Sequence, residues 1–286
     1  MKFFLLAFIL FIFFDANAQS LKKITSLPKV LNESSGLLMH SDTTFLSIND
    51  SGGEAVIYEF SFSGRLISTT TFDDTENYDW EELTVDSLGY IYIGDIGNNL
   101  NTRNNLTIFK FHKSAIGKDS VKTERIEFYY PEQISFPPKQ AELHYDAEGF
   151  VVWNDEIIVF TKCRTKPFKG QTRLYSIPNA AGRHDATMIN TLVMGTKSWL
   201  YHSVTGVCKY NEGIAILTYS GWYEVKQFDP RSNFWRNDNV VKHNLPFFRQ
   251  REGITQGLDG VIYITDEKHH ILGGANLYKW IGKGEK

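Results

Sequence analysis

The sequence predicts an all-β fold, a β-propeller with five blades of four strands each. A short phrase recurs five times along the chain: a polar residue and a spacer, then usually a carboxylate, usually a glycine, and a large apolar residue. A second apolar run follows each copy about ten residues later. The runs are short, rich in β-branched and aromatic residues, and free of long helical periodicity. A repeated unit of four short strands is typical of a propeller.

The five phrases mark the first strand of each blade and set the blade count. Their central positions are Gly36, Glu82, Gly149, Gly206 and Gly253, at spacings of 46, 67, 57 and 47 residues. The last repeat has only 33 residues left and supplies three strands. We therefore expect residues 21–27 to close the final blade as an N-terminal outer strand, which removes an exposed edge. The longest interval, of 67 residues, contains an additional segment at residues 131–145. This segment is rich in proline and indicates a loop, and the alternative is a degenerate sixth blade there.

The remaining strands follow from short apolar runs bounded by Gly, Asp or Asn. The second strands are predicted at residues 44–48, 90–93, 156–160, 214–217 and 261–264. The third strands are predicted at residues 55–58, 106–109, 172–175, 222–225 and 276–280. Weaker fourth strands are predicted at residues 66–72, 125–130, 188–193 and 239–244.

The N-terminus has the pattern of a secretory signal peptide. Lys2 precedes an apolar run at residues 3–14, and small residues at positions 16 and 18 suit a signal peptidase. Twelve apolar residues are too few for the ~20 of a spanning helix. We expect cleavage of residues 1–18, a single propeller domain at 19–286, and a secreted or periplasmic protein without a membrane span. The cleavage site has no cysteine, so we expect no lipid anchor there.

Composition limits the classes of partner. The 286 residues are 42% hydrophobic, and 30 basic against 33 acidic residues give a net charge of −3. This balance has no basic surplus for nucleic acid. A small-molecule or envelope ligand is the expected partner, and a monomer the expected state. The two cysteines, Cys163 and Cys208, are either free thiols or one disulfide in an exported protein.

Carboxylates recur where the first strands begin and the second strands end. In a propeller these two places share one face, so equivalent side chains form a ring at one mouth of the axis. The predicted metal ligands are Glu81, Glu148, Glu252, Asp95, Asp266 and Asp50. Hard oxygen ligands in this number suit Ca²⁺ or Mg²⁺, and no organic cofactor is expected. Two alternatives are open: the acids bond backbone amides and hold the blades together, or they perform acid–base catalysis.

Other polar residues fall on the same predicted face. The predicted ligand-binding residues are Lys162, Tyr219, Arg103 and Arg251. His144 and His202 each precede a first strand and are the predicted catalytic acid and base. The sequence has no nucleophile elbow, phosphate loop or dinucleotide fingerprint.

Segments of four repeats resemble a family of exported, largely uncharacterised bacterial β-propellers. The more specific ones are Asp79-Trp-Glu-Glu-Leu-Thr-Val-Asp86 and Ile91-Tyr-Ile-Gly-Asp-Ile-Gly-Asn-Asn99, which Arg103 follows. The others lie at residues 146–150 with 160–162, 204–206 with 217–219, and 252–254 with 265–267. The match extends over residues 32–280. More distantly, the layout is similar to gluconolactonase-like calcium propellers and to propellers labelled esterase-like or phytase-like. This resemblance implies metal-assisted hydrolysis.

These observations predict a propeller that binds a ligand or divalent cation at an acidic axial mouth. Hydrolysis of lactones or phosphoesters is a further expectation, with the bound ion activating water. The alternative is a non-catalytic module of the cell envelope that binds protein or glycan.

Overall fold

The structure, a computed structural model, describes residues 20–236, 238–246, 249–269, 271 and 273–282. The predicted signal peptide at residues 1–18 lies outside these ranges, as do both ends of the predicted domain at 19–286. Within the described ranges the protein is almost entirely β-structure, with one four-residue α-helix and two single-turn 3-10 helices.

The strands run along the chain as follows. They are β1 (Ser20–Ser26), β2 (Ser34–Met39), β3 (Thr44–Asn49), β4 (Val56–Ser61), β5 (Leu66–Thr71), β6 (Trp80–Val85), β7 (Tyr90–Asp95), β8 (Leu106–His112), β9 (Glu124–Tyr129), β10 (Asp146–Trp153), β11 (Glu156–Lys162), β12 (Gln171–Pro178), β13 (Gly182–Asp185), β14 (Thr187–Val193), β15 (Val204–Tyr210), β16 (Gly213–Thr218), β17 (Gly221–Val225), β18 (Val240–Asn244), β19 (Arg251–Gln256), β20 (Ile262–Asp266) and β21 (Asn276–Ile281).

Five sheets form the blades of a propeller, which confirms the predicted fold class. Blades 1 to 4 are β2–β5, β6–β9, β10–β11–β12–β14 and β15–β18, and blade 5 is β19–β20–β21–β1. Successive strands of each blade pair antiparallel, and β1 pairs with β21 from Ser20–Ile281 to Ser26–Asn276. The short strand β13 adds to the outer edge of blade 2, parallel to β9. Residues 131–145 form a connection with a 3-10 turn at Gln140–Glu142, not a further blade.

The core lies between the blades. Five clusters of buried apolar side chains are present among the described residues, and each joins two neighbouring sheets. Between blades 1 and 2, for example, Ile48 packs with Trp80 and Ile93. Each blade therefore buries both of its faces, which explains why the inner strands are nearly continuous apolar runs.

A β-bulge interrupts every first strand near the axis. The register between first and second strands shifts once in each blade, at Gly36 in blade 1 and at Glu81, Glu148, Thr205 and Glu252 in the others. A bulge leaves one residue unpaired and redirects its side chain. The carboxylates of the recurring phrase thus leave the sheet ladder where the strands meet.

Helical structure is minor. The α-helix, α1, spans Trp199–His202, and the 3-10 turns lie at Lys113–Ala115 and Gln140–Glu142. None of the helices in the described residues has the length and apolar character to cross a membrane. Cys163 and Cys208 are both buried free thiols, so the disulfide alternative is not formed.

Candidate functional site

A cavity of about 220 Å³ lies at the end of the axis where the first strands begin. Its lining residues come from all five blades and their connections, and most are charged or polar. They are Asp50, Glu81, Asn99, Glu148, Lys162, Arg164, Trp199, Tyr219, Gln250, Glu252 and Glu267. The sequence prediction of an acidic mouth therefore corresponds to one defined cavity for six of its residues: Asp50, Glu81, Glu148, Glu252, Lys162 and Tyr219.

Two groups of carboxylates meet at this cavity. Asp50, Asp79 and Glu81 each offer an oxygen atom within 4.8 Å of the others, and so do Glu81, Asp146 and Glu148. Glu81 belongs to both groups and is buried. Acids this close repel one another when all are ionised, so the arrangement favours a bound cation, a neighbouring base or retained protons.

Basic side chains neutralise carboxylates of the second group, which consists of Glu81, Asp146 and Glu148. Lys162 Nζ lies 2.9 Å from Glu148 Oε2. Arg164 contacts Glu148 Oε1 at 3.1 Å and Asp146 Oδ2 at 2.5 Å. Lys162 also donates a 3.1 Å hydrogen bond to the Tyr219 hydroxyl, which donates to Glu252 Oε1 at 2.9 Å. Burial opposes the charge of Lys162, but Glu148, Tyr219 and Glu252 outweigh it and raise the Lys162 pKa.

The first group has no such partner. Among the described residues, no basic side chain forms an ion pair with Asp50, Asp79 or Glu81. Asp79 Oδ1 is buried without a hydrogen-bond donor in that part of the chain. Burial, followed by the charges of Asp50 and Asp146, raises the Asp79 pKa to about 7. Burial, and then Glu148 and Asp50, raise the Glu81 pKa well above its usual range.

Gly97 leaves room for the carboxylates of Asp79 and Glu81. A Cβ atom on Gly97 would lie 2.3 Å from Glu81 Oε1 and 2.4 Å from Asp79 Oδ2. The backbone N–H groups of Ile96 and Gly97 donate to the Asp79 carbonyl, both at 3.1 Å. The loop after β7 therefore supports the two carboxylates closely, and only glycine leaves the necessary space.

Asp95 and Arg103 lie behind this loop and do not line the cavity. Asp95 accepts a 2.8 Å hydrogen bond from the backbone N–H of Asp79. Arg103 contacts both Asp95 oxygens, at 3.2 and 3.1 Å, and donates to the Gly97 carbonyl at 2.8 Å. These two residues, predicted as a metal ligand and a ligand-binding residue, hold the loop in place.

Asp266 and Arg251 also have structural contacts outside the cavity lining. Asp266 accepts hydrogen bonds of 2.8 Å from the Asn276 backbone and of 2.8 Å from the Tyr278 hydroxyl. Arg251 donates to the carbonyls of Tyr219 and Pro246, both at 2.7 Å. The first contacts tie strands of blade 5 together, and the second join blade 5 to a turn of blade 4 and to the connection that follows blade 4.

The register explains why Asp95 and Asp266 differ from Asp50. Asn49, Asp95 and Asp266 pair with Ser34, Trp80 and Arg251, which are equivalent positions of the recurring phrase. In four blades the residue one position later lines the cavity: Asp50, Lys162, Tyr219 and Glu267. In blade 2 that residue is Ile96, which packs in the apolar core between blades 2 and 3. Successive side chains of a strand point to opposite faces, so the acids one residue earlier point away.

The predicted catalytic histidines are not part of the cavity lining. His144 is buried, and its Nδ1 has no hydrogen-bond partner among the described residues. Burial, with the charges of Arg173 and Lys169, lowers the His144 pKa to about 4. The His202 ring lies 3.2 Å from the Ser198 carbonyl. Neither position brings an imidazole to the carboxylate groups.

Five lining residues fell outside the predicted metal, ligand-binding and catalytic residues. They are Asn99, Arg164, Trp199, Gln250 and Glu267. Arg164 stands two residues after Lys162, and side chains two apart in an extended chain share a face. That spacing is a usable sequence indication. Trp199 reaches the cavity from α1, whose position in space the repeat does not specify.

Comparison with known proteins supports the fold. No protein-family model matches the sequence, and no curated protein matches it. The PQQ-bound aldose sugar dehydrogenase of Streptomyces coelicolor is 10% identical, with a TM-score of 0.50 over 92% of this chain and 98% of that one. An oxidoreductase of Thermus thermophilus, described as a glucose dehydrogenase, is 12% identical, with a TM-score of 0.51 over 92% and 100%.

A structure described as a candidate gluconolactonase is 10% identical, with a TM-score of 0.46 over 92% of this chain and 91% of that one. At such identities the likeness concerns the fold alone. The fold and the site define the protein as a five-bladed β-propeller with an acidic axial cavity.

Proposed function

We propose that the protein binds a divalent cation, Ca²⁺, in its axial cavity, at the group Asp50, Asp79 and Glu81. One observation carries this proposal: three mutually close carboxylates, two of them buried, form no ion pair with a base in the described residues. A cation balances their charge, and carboxylate oxygens are the ligands that Ca²⁺ prefers.

The charge at the cavity supports an additional cation. Seven carboxylates lie in or against it, whereas two bases, Lys162 and Arg164, do. The seven are Asp50, Asp79, Glu81, Asp146, Glu148, Glu252 and Glu267. The two bases already contact Asp146 and Glu148. A surplus of negative charge therefore remains around Asp50, Asp79 and Glu81, and protons or a metal ion must offset it.

The chemistry of the ligands favours Ca²⁺. The oxygens of Asp50, Asp79 and Glu81 lie within 4.8 Å of one another, so one ion can contact all three residues. Ca²⁺ accepts irregular sets of carboxylate oxygens, whereas Mg²⁺ demands near-ideal octahedral geometry. All ligands are oxygens, which disfavours zinc.

Calorimetric titration of the apo protein with Ca²⁺ tests the proposal. We expect one site in the wild-type protein, and a rise of several degrees in melting temperature at saturating Ca²⁺, because the ion binds the native state. Glu81→Gln removes the carboxylate shared by the two groups. This variant should lose at least about tenfold in Ca²⁺ affinity, while its melting temperature in chelator stays equal or rises as repulsion falls.

A pair of glycine variants provides the matched control. Gly97→Ala places a methyl group against Glu81 and Asp79 and should weaken Ca²⁺ binding about as much as Glu81→Gln. Gly53→Ala adds the same methyl group near Asp50, where the nearest atom is 3.8 Å away, and should bind normally. Absence of binding by the wild-type protein at millimolar Ca²⁺, or equal affinity in all variants, would refute the proposal.

Hydrolysis is a separate question. A bound Ca²⁺ supplies the charge that metal-assisted hydrolysis requires, and cleavage of lactones or phosphoesters stays a prediction. The cavity lining offers several acid or base groups, among them Glu81, Glu148, Glu252 and Tyr219, whereas His144 and His202 do not line it. The geometry favours binding of a cation together with a small-molecule ligand as the primary function. Export to the periplasm or medium also stays a prediction.

A further inference from the structure

A second and larger recess opens beside the axial cavity. This groove has a volume of about 540 Å³ and runs between the loop after β7, the 131–145 connection and the loop after β11. Three residues line both spaces: Asn99, Arg164 and Trp199. The groove and the cavity therefore adjoin at these three residues. Their combined volume falls in the roughly 300–1,000 Å³ range of small-molecule sites.

The groove and the cavity differ in chemistry. The cavity wall is largely polar and has five carboxylates among its eleven lining residues, whereas rings and aliphatic side chains dominate the groove. The apolar lining residues of the groove are Leu100, Pro137, Pro138, Leu143, Pro167, Phe168 and Trp199. Proline and aromatic rings are rigid, so they present flat surfaces at little entropic cost. Such a wall suits a planar apolar group.

Trp199 and Arg164 form the junction between the groove and the cavity. Trp199 is 48% exposed and packs edge-to-face on Tyr219, with ring centroids 6.0 Å apart. Tyr219 in turn belongs to the cavity wall. The Arg164 guanidinium is held by Asp146, Glu148 and Asn99. An exposed indole face therefore borders the groove immediately beside the acidic cavity.

We infer that the ligand of this protein has two parts, a neutral hydroxyl-bearing head in the axial cavity and an aryl group in the groove against Trp199. The inference rests on the proposed function in one respect, that the hydroxyl oxygens of the head approach the bound cation. The requirement for a neutral head follows from the wall, because surplus carboxylates repel an anion and a cationic head competes with Ca²⁺.

Hydroxyl groups match the hydrogen-bonding character of the wall. The carboxylates of Glu81, Glu252 and Glu267 are acceptors when ionised, and Glu252 Oε2 has no hydrogen-bond partner among the described residues although it is buried. A hydroxyl donates to such an oxygen and offers its own lone pairs to a cation. A carbonyl head lacks the donor.

The probe for this inference is phenyl β-D-glucopyranoside, and methyl β-D-glucopyranoside is its matched control without the aryl group. Ligand-observed NMR titration in saturating Ca²⁺ should give at least about tenfold tighter binding of the phenyl compound. Trp199→Ala should remove this preference by lowering the affinity for the phenyl compound to that for the methyl compound. Tyr201→Ala, at a similarly exposed residue on the same short helix that lines neither recess, should retain the preference.

The outcomes separate this inference from the proposed function. Three results would overturn the two-part ligand. They are equal affinity for the two glucosides, no binding of the phenyl compound at about 10 mM, which is on the order of the weakest useful affinities, and a preference that survives Trp199→Ala. The Ca²⁺ titration of Trp199→Ala is measured alongside and should match the wild-type protein. If the wild-type protein does not bind Ca²⁺ but still prefers the phenyl compound in chelator, the cation proposal is wrong and the aryl site in the groove stands.

Discussion

The carboxylate of Glu82 in blade 2 accepts a 2.8 Å hydrogen bond from the backbone N–H of Val207 in blade 4. These blades are not neighbours, so the side chain bridges the centre of the propeller. The equivalent positions in the other blades are Gly36, Gly149, Gly206 and Gly253. A Cβ atom at any of the four would lie 3.0 Å or less from another atom. The centre thus has room for one side chain, and Glu82 occupies it.

Glu82→Gln should destabilise the protein by about 1–3 kcal/mol. The second Glu82 oxygen accepts a 2.9 Å bond from the Leu83 N–H, so both oxygens face donors. A glutamine amide has one acceptor, and its NH₂ group would face a backbone N–H. Urea unfolding at pH 7 measures the change. Glu127→Gln, at an exposed residue on β9, should change stability by less than about 0.5 kcal/mol. Equal stability of Glu82→Gln and wild type would show that the bridge does not stabilise the fold.

Stability without the cation should fall as pH rises from 6.5 to 8. Burial raises the pKa of both Asp79 and Glu267 to about 7, with Asp50 as the next cause in each case. A carboxyl whose pKa is raised on folding stabilises the protein fully below its unfolded pKa, and this contribution is lost as pH rises through the folded pKa. Each group should cost on the order of 1 kcal/mol over this interval.

The interval avoids the opposing effect of His144. Its pKa is lowered to about 4, so that residue changes stability below pH 6.5 but little above it. Unfolding is measured at three pH values in EDTA and again in saturating Ca²⁺, which should flatten the profile because the ion stabilises the charged carboxylates. Asp79→Asn should reduce the slope in EDTA. A stability that is constant or rises with pH in EDTA would contradict the raised pKa values.

The sequence predicted the fold well because propeller repeats are local. Each blade is a meander of consecutive strands, so short apolar runs and turn residues identify its strands without long-range information. The repeated phrase put Glu81, Glu148 and Glu252 at equivalent positions, and a bulge at each of these residues brings all three to the lining of one cavity. Equivalence in the repeat was sufficient there.

The same equivalence was insufficient at the ends of the second strands. Asp95 and Asp266 differ by a single residue in register from Asp50, and a one-residue shift reverses the direction of a side chain. Composition alone does not fix that register. The groove could not be predicted from the sequence either, because its walls come from three connections whose relative positions depend on loop conformation. The proline-rich surplus at residues 131–145 therefore indicated only a loop, although Pro137 and Pro138 line the recess.

Lys162→Met should destabilise the protein by about 3 kcal/mol, since removing one partner of a buried pair leaves an uncompensated charge. Lys162 is buried and contacts both Glu148 and the Tyr219 hydroxyl. Arg164 still pairs with Glu148, which keeps the loss at the lower end of the usual range. Urea unfolding in chelator at pH 7 measures it. Lys279→Met, which breaks an exposed pair with Asp259, should cost less than about 1 kcal/mol.

The double variant Lys162→Met/Glu148→Gln distinguishes a charge effect from lost packing. If the cost of Lys162→Met comes from the stranded Glu148 carboxylate, neutralising that carboxylate should restore more than half of the loss, and the two changes will be strongly non-additive. Additive losses would mean that the lysine stabilises the cavity through its aliphatic stem. In that case Lys162 would not be the counter-charge of Glu148. The proposed Ca²⁺ position would then lose its basis, because it assumes that bases neutralise Asp146 and Glu148 but not Asp50, Asp79 and Glu81.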